Sequence, residues 1–398
     1  MKLGNLVYAT MIACAFASCS SNDEEGTTTP TVASTGTCTL SIGVSTGSTS
    51  ATKAVYTGTD DFTATGKITN EDQIYNLTLV VFDESGNIVG RSSVTRSNPR
   101  TATDSLSISG LSAGKVQFLV LANVQANTDL TGLSSVFDAK TVALPTDGFV
   151  GNQIPMYSGL IKDVTLNAGN NYYGFYNRHT ASGETEINQG KPVELVRNVA
   201  RVDLAAVKLD VSSTYSAGTA SFTMTDVVMN HVAQKGTFIG TSLPSDNTFT
   251  TYDAAPSFYK ETATDATATQ DASTGTASTL TKAPHAYFYV LPNTNSTVEN
   301  NATTMVVKGT FSMKNGVNKT TNVTENVEPK VGYYPIVVGV TGTVSGGTTP
   351  TIAKNHIYKI TLTVAGPGKS GVDGGERANF FVNCKVADWV TVSQAVVI

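Results

Sequence analysis

The sequence is poor in charge, in histidine and in tryptophan. Charged residues make up 14% of the 398 residues and the formal net charge is −5, whereas an average soluble domain has about 25% charged residues. The chain therefore carries no basic field that would hold nucleic acid or an anionic membrane surface. The apolar run LVYATMIACAFA near the N-terminus is also too short to span a bilayer.

The few histidines do not indicate a metal site. They are scattered, with no i, i+4 pair and no carboxylate at ligand spacing: His179, His231, His285 and His356. Structural roles are therefore favoured over metal ligation. The only tryptophan, Trp389, is interpreted as a plug at the end of a β-sandwich, with sugar binding as the alternative.

Two short strings match catalytic motifs. Residues 43–47 spell G-x-S-x-G, the nucleophile elbow of hydrolases, and residues 366–371 spell G-x-G-x-x-G, a phosphate-binding loop. Both chemistries need a helix directly after the motif, and the residues that follow each string predict none. The sequence therefore predicts a protein that is not an enzyme and uses neither a cofactor nor a metal ion.

The abundant residue types indicate β-structure. Threonine, serine, glycine, alanine and valine dominate, and these residues favour strands and turns. In the segment CTLSIGVS, Cys38, Leu40, Ile42 and Val44 alternate with small or polar residues, the pattern of a half-buried strand. From Ile74 onward strands follow densely, with hairpin signals at residues 84–87 and 112–114. The pattern predicts an all-β chain of two sandwiches in tandem.

The N-terminus has the pattern of an export signal. Lys2 precedes the apolar run, and residues 16–19, FASC, resemble the lipobox of bacterial lipoproteins. That resemblance implies a signal peptide over residues 1–18 and a lipid on Cys19. The following SSNDEEG resembles the acidic signal that sends Bacteroidota lipoproteins to the cell surface. The alternatives are an ordinary secretory signal with an incidental cysteine, and a solvated linker.

Two cysteines remain for the folded part of the chain. Cys14 falls in the signal peptide and Cys19 is the predicted lipid anchor, which leaves Cys38 and Cys384. A disulfide between Cys38 and Cys384 and two buried free thiols are both compatible with the sequence, and free thiols are favoured.

The order of several strand segments is similar to that of a known family. IYNLTLVVFDESGNIVG, VELVRNVARVDL, NHIYKITLTVAG and the closing VADWVTVSQAVVI, in that order, resemble the major fimbrial subunit (fimbrillin, FimA-like) family of Bacteroidales over about residues 38–398. The resemblance implies a lipoprotein precursor of a type V pilus, made of two transthyretin-like Greek-key β-sandwiches with a C-terminal donor strand.

The resemblance also implies a mechanism of assembly. A trypsin-like protease at the surface cuts the loop after the first strand and removes that strand with its lipid. The vacated groove then accepts the C-terminal strand of another subunit, and repetition builds a fimbria that supports adhesion. The implied partners are other subunits of the same kind, the protease and, before processing, the outer membrane.

The mechanism assigns roles to residues near both ends. The cut is expected between Lys53 and Ala54, with Lys67 in reserve, because the chain has no arginine before Arg91. The donor strand presents apolar residues on one face, interrupted by Gln394: Val390, Val392, Val396 and Ile398. The predicted division is a signal peptide, a tether, a cleavable first strand, an N-terminal sandwich, a C-terminal sandwich and a donor strand: 1–18, 19–36, 37–53, 54–185, 186–388 and 389–398.

Two other functions stay open from the sequence. A surface glycan-binding lipoprotein would need an exposed aromatic platform, and the nearest group to one is Tyr172, Tyr173, Phe175 and Tyr176. A non-polymerising anchor or accessory fimbrial subunit would escape the cut. For all of these functions the precursor is expected at the cell surface. If the chain is a polymerising subunit, its mature form lies in the fimbria.

Overall fold

The computed structural model describes residues 37–46, 72–101, 103–123, 141–143, 154–175, 183–237, 248–252, 267–280, 286–293, 301–339, 350–371 and 380–388. Within these ranges the regular structure is β-strand, apart from one 3₁₀ helix at Ala272–Thr274. The all-β prediction is confirmed.

In chain order the strands are β1 (Cys38–Ser45), β2 (Gln73–Phe82), β3 (Ile88–Thr101), β4 (Thr103–Leu111), β5 (Gly114–Ala122), β6 (Thr141–Ala143), β7 (Met156–Leu166), β8 (Gly169–Tyr173), β9 (Glu184–Ile187), β10 (Val193–Glu194), β11 (Val196–Arg197), β12 (Ala200–Leu209), β13 (Thr219–Ala233), β14 (Lys235–Thr237), β15 (Phe249–Tyr252), β16 (Thr267–Asp271), β17 (Ser278–Thr279), β18 (Ala286–Val290), β19 (Thr304–Val317), β20 (Thr324–Val337), β21 (His356–Val364) and β22 (Phe380–Asp388).

The strands up to β11, apart from β6, form two sheets over one apolar core. The β1 sheet has the order β10–β1–β8–β9, with β4 also paired to β1, and the β5 sheet has the order β11–β7–β5–β2–β3. Both sheets contribute buried side chains to the same cluster, for example Leu40 and Ile108 from the first and Leu79 and Phe118 from the second. These two sheets and their core are the N-terminal half.

The strands from β12 onward, apart from β14, form the C-terminal half. Its β12 sheet has the order β17–β12–β21–β22, with β18 also on β12, and its β13 sheet has the order β15–β13–β19–β20, with β16 on β13. Val202 and Leu362 meet Phe222 and Phe311 in the core between them. The first strands of the two halves correspond: β1 is antiparallel to β4 and parallel to β8, and β12 is antiparallel to β18 and parallel to β21.

The hairpin predicted at residues 84–87 is confirmed, because β2 and β3 are antiparallel neighbours. The Asp83 carboxylate accepts hydrogen bonds from the backbone and the side-chain amide of Asn87, at 2.8 and 3.0 Å. These bonds hold the pKa of Asp83 below its usual value. Gly86 has φ 85°, which glycine adopts without strain.

The hairpin predicted at residues 112–114 is wrong in its pairing. β4 pairs with β1 in the β1 sheet, while β5 pairs with β2 and β7 in the β5 sheet. The turn therefore carries the chain from one sheet to the other. Turn residues set a reversal of direction, but they do not choose the partner of the next strand.

The two halves are held together by an apolar interface. Val80 and Phe82 of β2 and Leu119 of β5 point away from the N-terminal core and are buried against Val199 and Tyr289. The strand β14 adds a second link, since it pairs with β6. The apolar character of both faces of β2 and β5 is therefore explained by the C-terminal half, which covers the outer face.

A hydrogen bond and a cation–π contact help to hold the junction between the halves. The Asn355 amide donates to the Val199 carbonyl at 2.7 Å, and Lys354 Nζ lies 3.9 Å from the centre of the Tyr157 ring. Burial lowers the pKa of Lys354 to about 8. The strands β9, β10 and β11 pair within the N-terminal half. The domain boundary between residues 185 and 186 stays a prediction from the sequence.

Replacing Gly309 with alanine is expected to destabilise the folded chain by about 1–3 kcal/mol. The added Cβ would lie against the Phe222 ring and 2.8 Å from the carbonyl oxygen of Thr223. Gly43→Ala is the matched control, because its Cβ would meet the carbonyl oxygen of Gly174 at an ordinary 3.5 Å. Calorimetry should show a Tm several degrees lower for Gly309→Ala alone. Equal Tm values for the two variants would contradict this packing.

Candidate functional site

The first strand lies in the interior of its sheet. Along its whole length β1 pairs antiparallel with β4 on one side. On the other side its first part is parallel to β8 and its last two residues are parallel to β10. Removing β1 would therefore open a groove with a strand edge on each side. An alternating pattern identifies a strand and its buried face, whereas the number of its neighbours is set by the fold.

The inward side chains of β1 are part of the N-terminal core. Cys38, Leu40 and Ile42 are 0% exposed and Val44 is 1% exposed, and all of them belong to the cluster between the β1 sheet and the β5 sheet. Full burial of an apolar side chain of this size is worth about 1.5–3 kcal/mol. These side chains together stabilise β1 in its groove by an amount on the order of 6–12 kcal/mol.

Polar side chains and turn backbone shape the β8 side of the groove. The buried Asn171 amide donates to the Thr39 carbonyl at 3.3 Å and to the Asn167 carbonyl at 2.8 Å, which ties β1 to the turn between β7 and β8. The Leu195 amide donates to the Ser45 carbonyl at 2.7 Å and continues the pairing beyond β10. The β8 side of the groove thus holds β1 through a side-chain amide as well as through backbone hydrogen bonds.

Gly174 keeps the backbone close to the groove. Its φ is +80°, and an added Cβ would lie 2.7 Å from Pro192 Cα and 2.8 Å from the Lys191 carbonyl oxygen. Glycine is therefore required where the chain turns after β8 and returns toward β10. The Gly174 amide donates to the Ile187 carbonyl at 2.9 Å, which fixes this turn.

Several residues singled out from the sequence lie outside the described residues: Cys19, Lys53, Ala54, Lys67, Trp389, Val390, Val392, Gln394, Val396 and Ile398. Of the two remaining cysteines, Cys38 is a free, buried thiol in β1. Cys384 lies in β22, opposite Ile360 of the C-terminal half. The two cysteines therefore belong to strands of different halves.

The catalytic strings do not form catalytic structures in the described part of the chain. Ser45 is the last residue of β1, is 3% exposed and is paired with Thr103 of β4. In the other string, Gly368 packs on Gly332, and Lys369 bridges to Tyr333 of β20. This string follows β21, which pairs antiparallel with β22.

Neither a metal cluster nor a membrane helix is found among the residues that the structure describes. In that part of the chain no three metal-ligating side chains lie together, and no helix there is long and apolar enough to cross a bilayer. The described histidines, His231 and His356, lie in β13 and at the start of β21.

The aromatic residues near 172–176 are covered or half-buried where the structure describes them, and Tyr173 packs against the core. Tyr172 is 7% exposed and its hydroxyl donates to Glu184 at 3.0 Å. Tyr173 packs edge-on against Phe118 of the core, with ring centres 5.1 Å apart, and burial raises the pKa of its hydroxyl. Phe175 contacts Tyr172 edge-on. These side chains serve the β1 sheet and its core rather than an exposed sugar-binding platform.

Family comparison divides the chain at the junction between the halves. The family model described as major fimbrial subunit protein (FimA) matches residues 37–197. The model described as FimA4 pilin C-terminal domain matches residues 199–389. The two matches meet at the point where the chain passes from β11 to β12.

Individual relatives agree with the family models. The chain is 31% identical over 306 residues to the major fimbrium subunit FimA type-3 of Porphyromonas gingivalis, covering 69% of this chain and 75% of the relative. It is 29% identical over 318 residues to a FimA type-2 subunit of the same species, covering 72% and 77%. A crystal structure of a fimbrilin (FimA) from P. gingivalis W83 superposes with a TM-score of 0.58 at 22% identity, over 90% of this chain and 99% of that one.

Proposed function

The chain belongs to the major fimbrial subunit (FimA) family and is a structural, non-enzymatic subunit of a cell-surface fimbria; on this premise we propose that it polymerises by donor-strand exchange triggered by proteolysis. In this proposal β1 is the strand that leaves. The strand that replaces it is the C-terminal segment 389–398 of another subunit.

The interior position of β1 carries the proposal. β1 contributes its whole apolar face to the core and is paired on both sides. Residues 47–71 connect its C-terminal end to β2. One cut in that connection converts β1 from a covalent part of the sheet into a bound peptide. Loss of the peptide exposes an apolar groove lined by unpaired backbone groups, which is a template for another strand.

The C-terminal segment has the properties of a replacement strand. Val390, Val392, Val396 and Ile398 share one face, and nine extended residues reach about 30 Å, enough to cross a sheet of this size. Four buried apolar anchors contribute on the order of 6–12 kcal/mol before ordering costs. This range is no larger than the one derived for β1, so exchange depends on release of the cut strand.

The N-terminal features give the order of events. We place the precursor at the outer membrane through a lipid on Cys19, with residues 19–36 as a tether that presents the folded chain to a trypsin-like protease at the surface. The cut releases the lipid together with β1, so a subunit becomes free to polymerise only when its groove opens. The mature subunits form a fimbria that supports adhesion.

Replacing the basic residues before β2 is expected to abolish polymerisation. Lys53 and Lys67 are the only lysines or arginines in residues 47–71, and a trypsin-like pocket that lacks its cationic side chain loses at least about 100-fold in cleavage rate. Lys53→Gln should therefore slow the cut between Lys53 and Ala54, and Lys53→Gln with Lys67→Gln should stop it in this segment. Intact mass and N-terminal sequencing detect the cut, and unboiled SDS gels detect the polymer.

Lys115→Gln is the control, because Lys115 lies in β5 with 57% of its side chain exposed and only a 3.9 Å contact to Glu84. This variant should be cut and polymerise as the unchanged chain does. Polymer formed by the double variant would contradict the proteolytic trigger. A chain that is cut at Lys53 and stays monomeric would contradict donor-strand exchange, and a chain that its own cells never cut would instead be a non-polymerising anchor.

A further inference from the structure

The outward face of β4 carries a row of serines beside β1. Ser109, Ser107 and Ser105 stand opposite Thr39, Ser41 and Gly43 of β1. The Ser41 and Ser107 hydroxyls are hydrogen-bonded at 2.8 Å. Hydroxyl pairs across neighbouring strands are stabilising and form only in one register. The groove therefore has a polar side that can distinguish one alignment of a strand from another.

The opposite side of the groove limits side-chain size at one position. A Cβ on Gly43 would lie 3.5 Å from the Gly174 carbonyl oxygen and 3.8 Å from the Tyr173 carbonyl oxygen. An alanine fits there in ordinary contact, whereas the branches of a valine would be pushed toward this backbone. Gly174 cannot move aside, because its own surroundings exclude even a Cβ.

The C-terminal segment repeats the residue pattern of β1. Residues 38–45 read CTLSIGVS and residues 390–397 read VTVSQAVV. Aligned without a gap, Thr39, Ser41 and Val44 have identical counterparts in Thr391, Ser393 and Val396, and Gly43 corresponds to Ala395. We propose that residues 390–397 of a second copy occupy the groove in the register of β1, antiparallel to β4 and parallel to β8, with Ser393 opposite Ser107. This register rests on the proposed exchange of β1 for the C-terminal segment.

Other registers conflict with the groove. A shift of two residues in one direction puts Val397 in the place of Gly43, against the Gly174 backbone, and puts Ala395 opposite Ser107. A shift of two in the other direction puts Asp388 into the core position of Cys38, and Asp388 is already paired with His356 in β22. A slip of one residue turns Thr391 and Ser393 into the apolar core.

The proposed register also assigns a position to Gln394, the one polar residue on the inward face of the C-terminal segment. Gln394 takes the position of Ile42, which is 0% exposed and is paired with Leu106 on β4 and Tyr173 on β8. The donor is therefore a poorer fit than β1 at this position, since a buried amide costs free energy unless it is fully hydrogen-bonded. The serine row and Ala395, rather than the apolar anchors alone, then fix the alignment.

Cysteine cross-linking on cells tests the register. The full-length chain carries Cys384→Ser, and Cys19 and Cys38 leave with the cut segment. Ser107→Cys is combined with Ser393→Cys, or with Thr391→Cys or Ala395→Cys for the two shifted registers. Directly opposite residues lie within disulfide reach, whereas diagonal neighbours about 7–8 Å apart do not. Ser107→Cys with Ser393→Cys should give at least about 10-fold more covalent ladder on non-reducing, fully denaturing gels than either shifted pair.

The outcomes separate the register from the exchange itself. Reduced, unboiled samples show whether polymer formed at all, independently of any disulfide. Polymer with the covalent ladder mainly from Thr391→Cys or Ala395→Cys, or equally from all three pairs, overturns the register and leaves donor-strand exchange standing. The absence of polymer from the chain without engineered cysteines overturns the exchange, and the register with it.

Discussion

A chain restricted to residues 54–388 is expected to lose the folded structure of its N-terminal half. It lacks β1 and the C-terminal segment, so the groove between β4 and β8 has no strand to fill it. The lost side-chain burial, on the order of 6–12 kcal/mol, is comparable with the whole stability of a natural domain, about 5–15 kcal/mol. The C-terminal half keeps its own core and should still melt cooperatively.

Peptide complementation gives the measurement. Hydrogen exchange should show rapid exchange in β4 and β8 of the 54–388 chain, and calorimetry should show the N-terminal transition missing. A peptide of residues 37–46 should restore both, whereas the same peptide with Leu40→Asp and Ile42→Asp should restore neither, because its carboxylates would enter the core without partners. An N-terminal half that is equally protected with and without β1 would show that the strand is dispensable.

The second large effect is expected from one inward residue of the C-terminal segment. Val392→Asp should abolish polymer formation, since it removes the burial of a valine, about 1.5–3 kcal/mol, and places an unpaired carboxylate in the groove at a further cost of several kcal/mol. The subunit contact should weaken by at least about 10³-fold. Neighbouring residues on a strand face opposite sides, so Thr391→Asp carries the same charge on the outward face and should weaken the contact far less than Val392→Asp.

The readouts are the polymer ladder after processing and the Tm of the monomer. Both variants should fold with the Tm of the unchanged chain, because the substitution acts on the contact between subunits. Equal polymer from Val392→Asp and Thr391→Asp would mean that the face of the segment does not matter, and donor-strand exchange would then be wrong. Loss of polymer from both variants would mean that any charge in the segment is excluded, whichever face it lies on.

Local patterns predicted the strands well, because alternation depends only on neighbouring residues. The segment CTLSIGVS became β1 with its predicted face buried, although Ser41 and Ser45 on the other face are buried as well, so the strand is not half-exposed as predicted. The turn at residues 84–87 joined β2 to β3. The pairing partner of each strand was harder to predict. The residues around 112–114 predicted a hairpin, yet β4 and β5 lie in different sheets, since a turn determines direction and the competition among distant strands determines pairing.

The burial of charged side chains was also hard to predict from local pattern. In β12, Arg201 and Asp203 lie on the face opposite the core residues Val202 and Leu204. Charged residues that alternate with apolar ones are typical of a strand whose charged face is exposed to water. In the structure the Arg201 guanidinium donates to the Asp203 carboxylate at 2.8 and 2.9 Å, and their side chains are 5% and 0% exposed. Alternation identifies which face a residue occupies, but whether that face is covered depends on the packing of segments far apart in the sequence.

The sequence by itself determined that the chain is all-β, that its first strand and its last segment are both amphipathic, and which family it resembles. Each of these depends on residue type and on spacing along the chain. Only the tertiary structure decided that β1 is an interior strand, that its loss opens a groove with two edges, and that Ser41 meets Ser107 across that groove. Those facts depend on parallel and antiparallel pairings between residues that are far apart in the sequence, and such pairings are selected by the packing of the whole core rather than by local pattern.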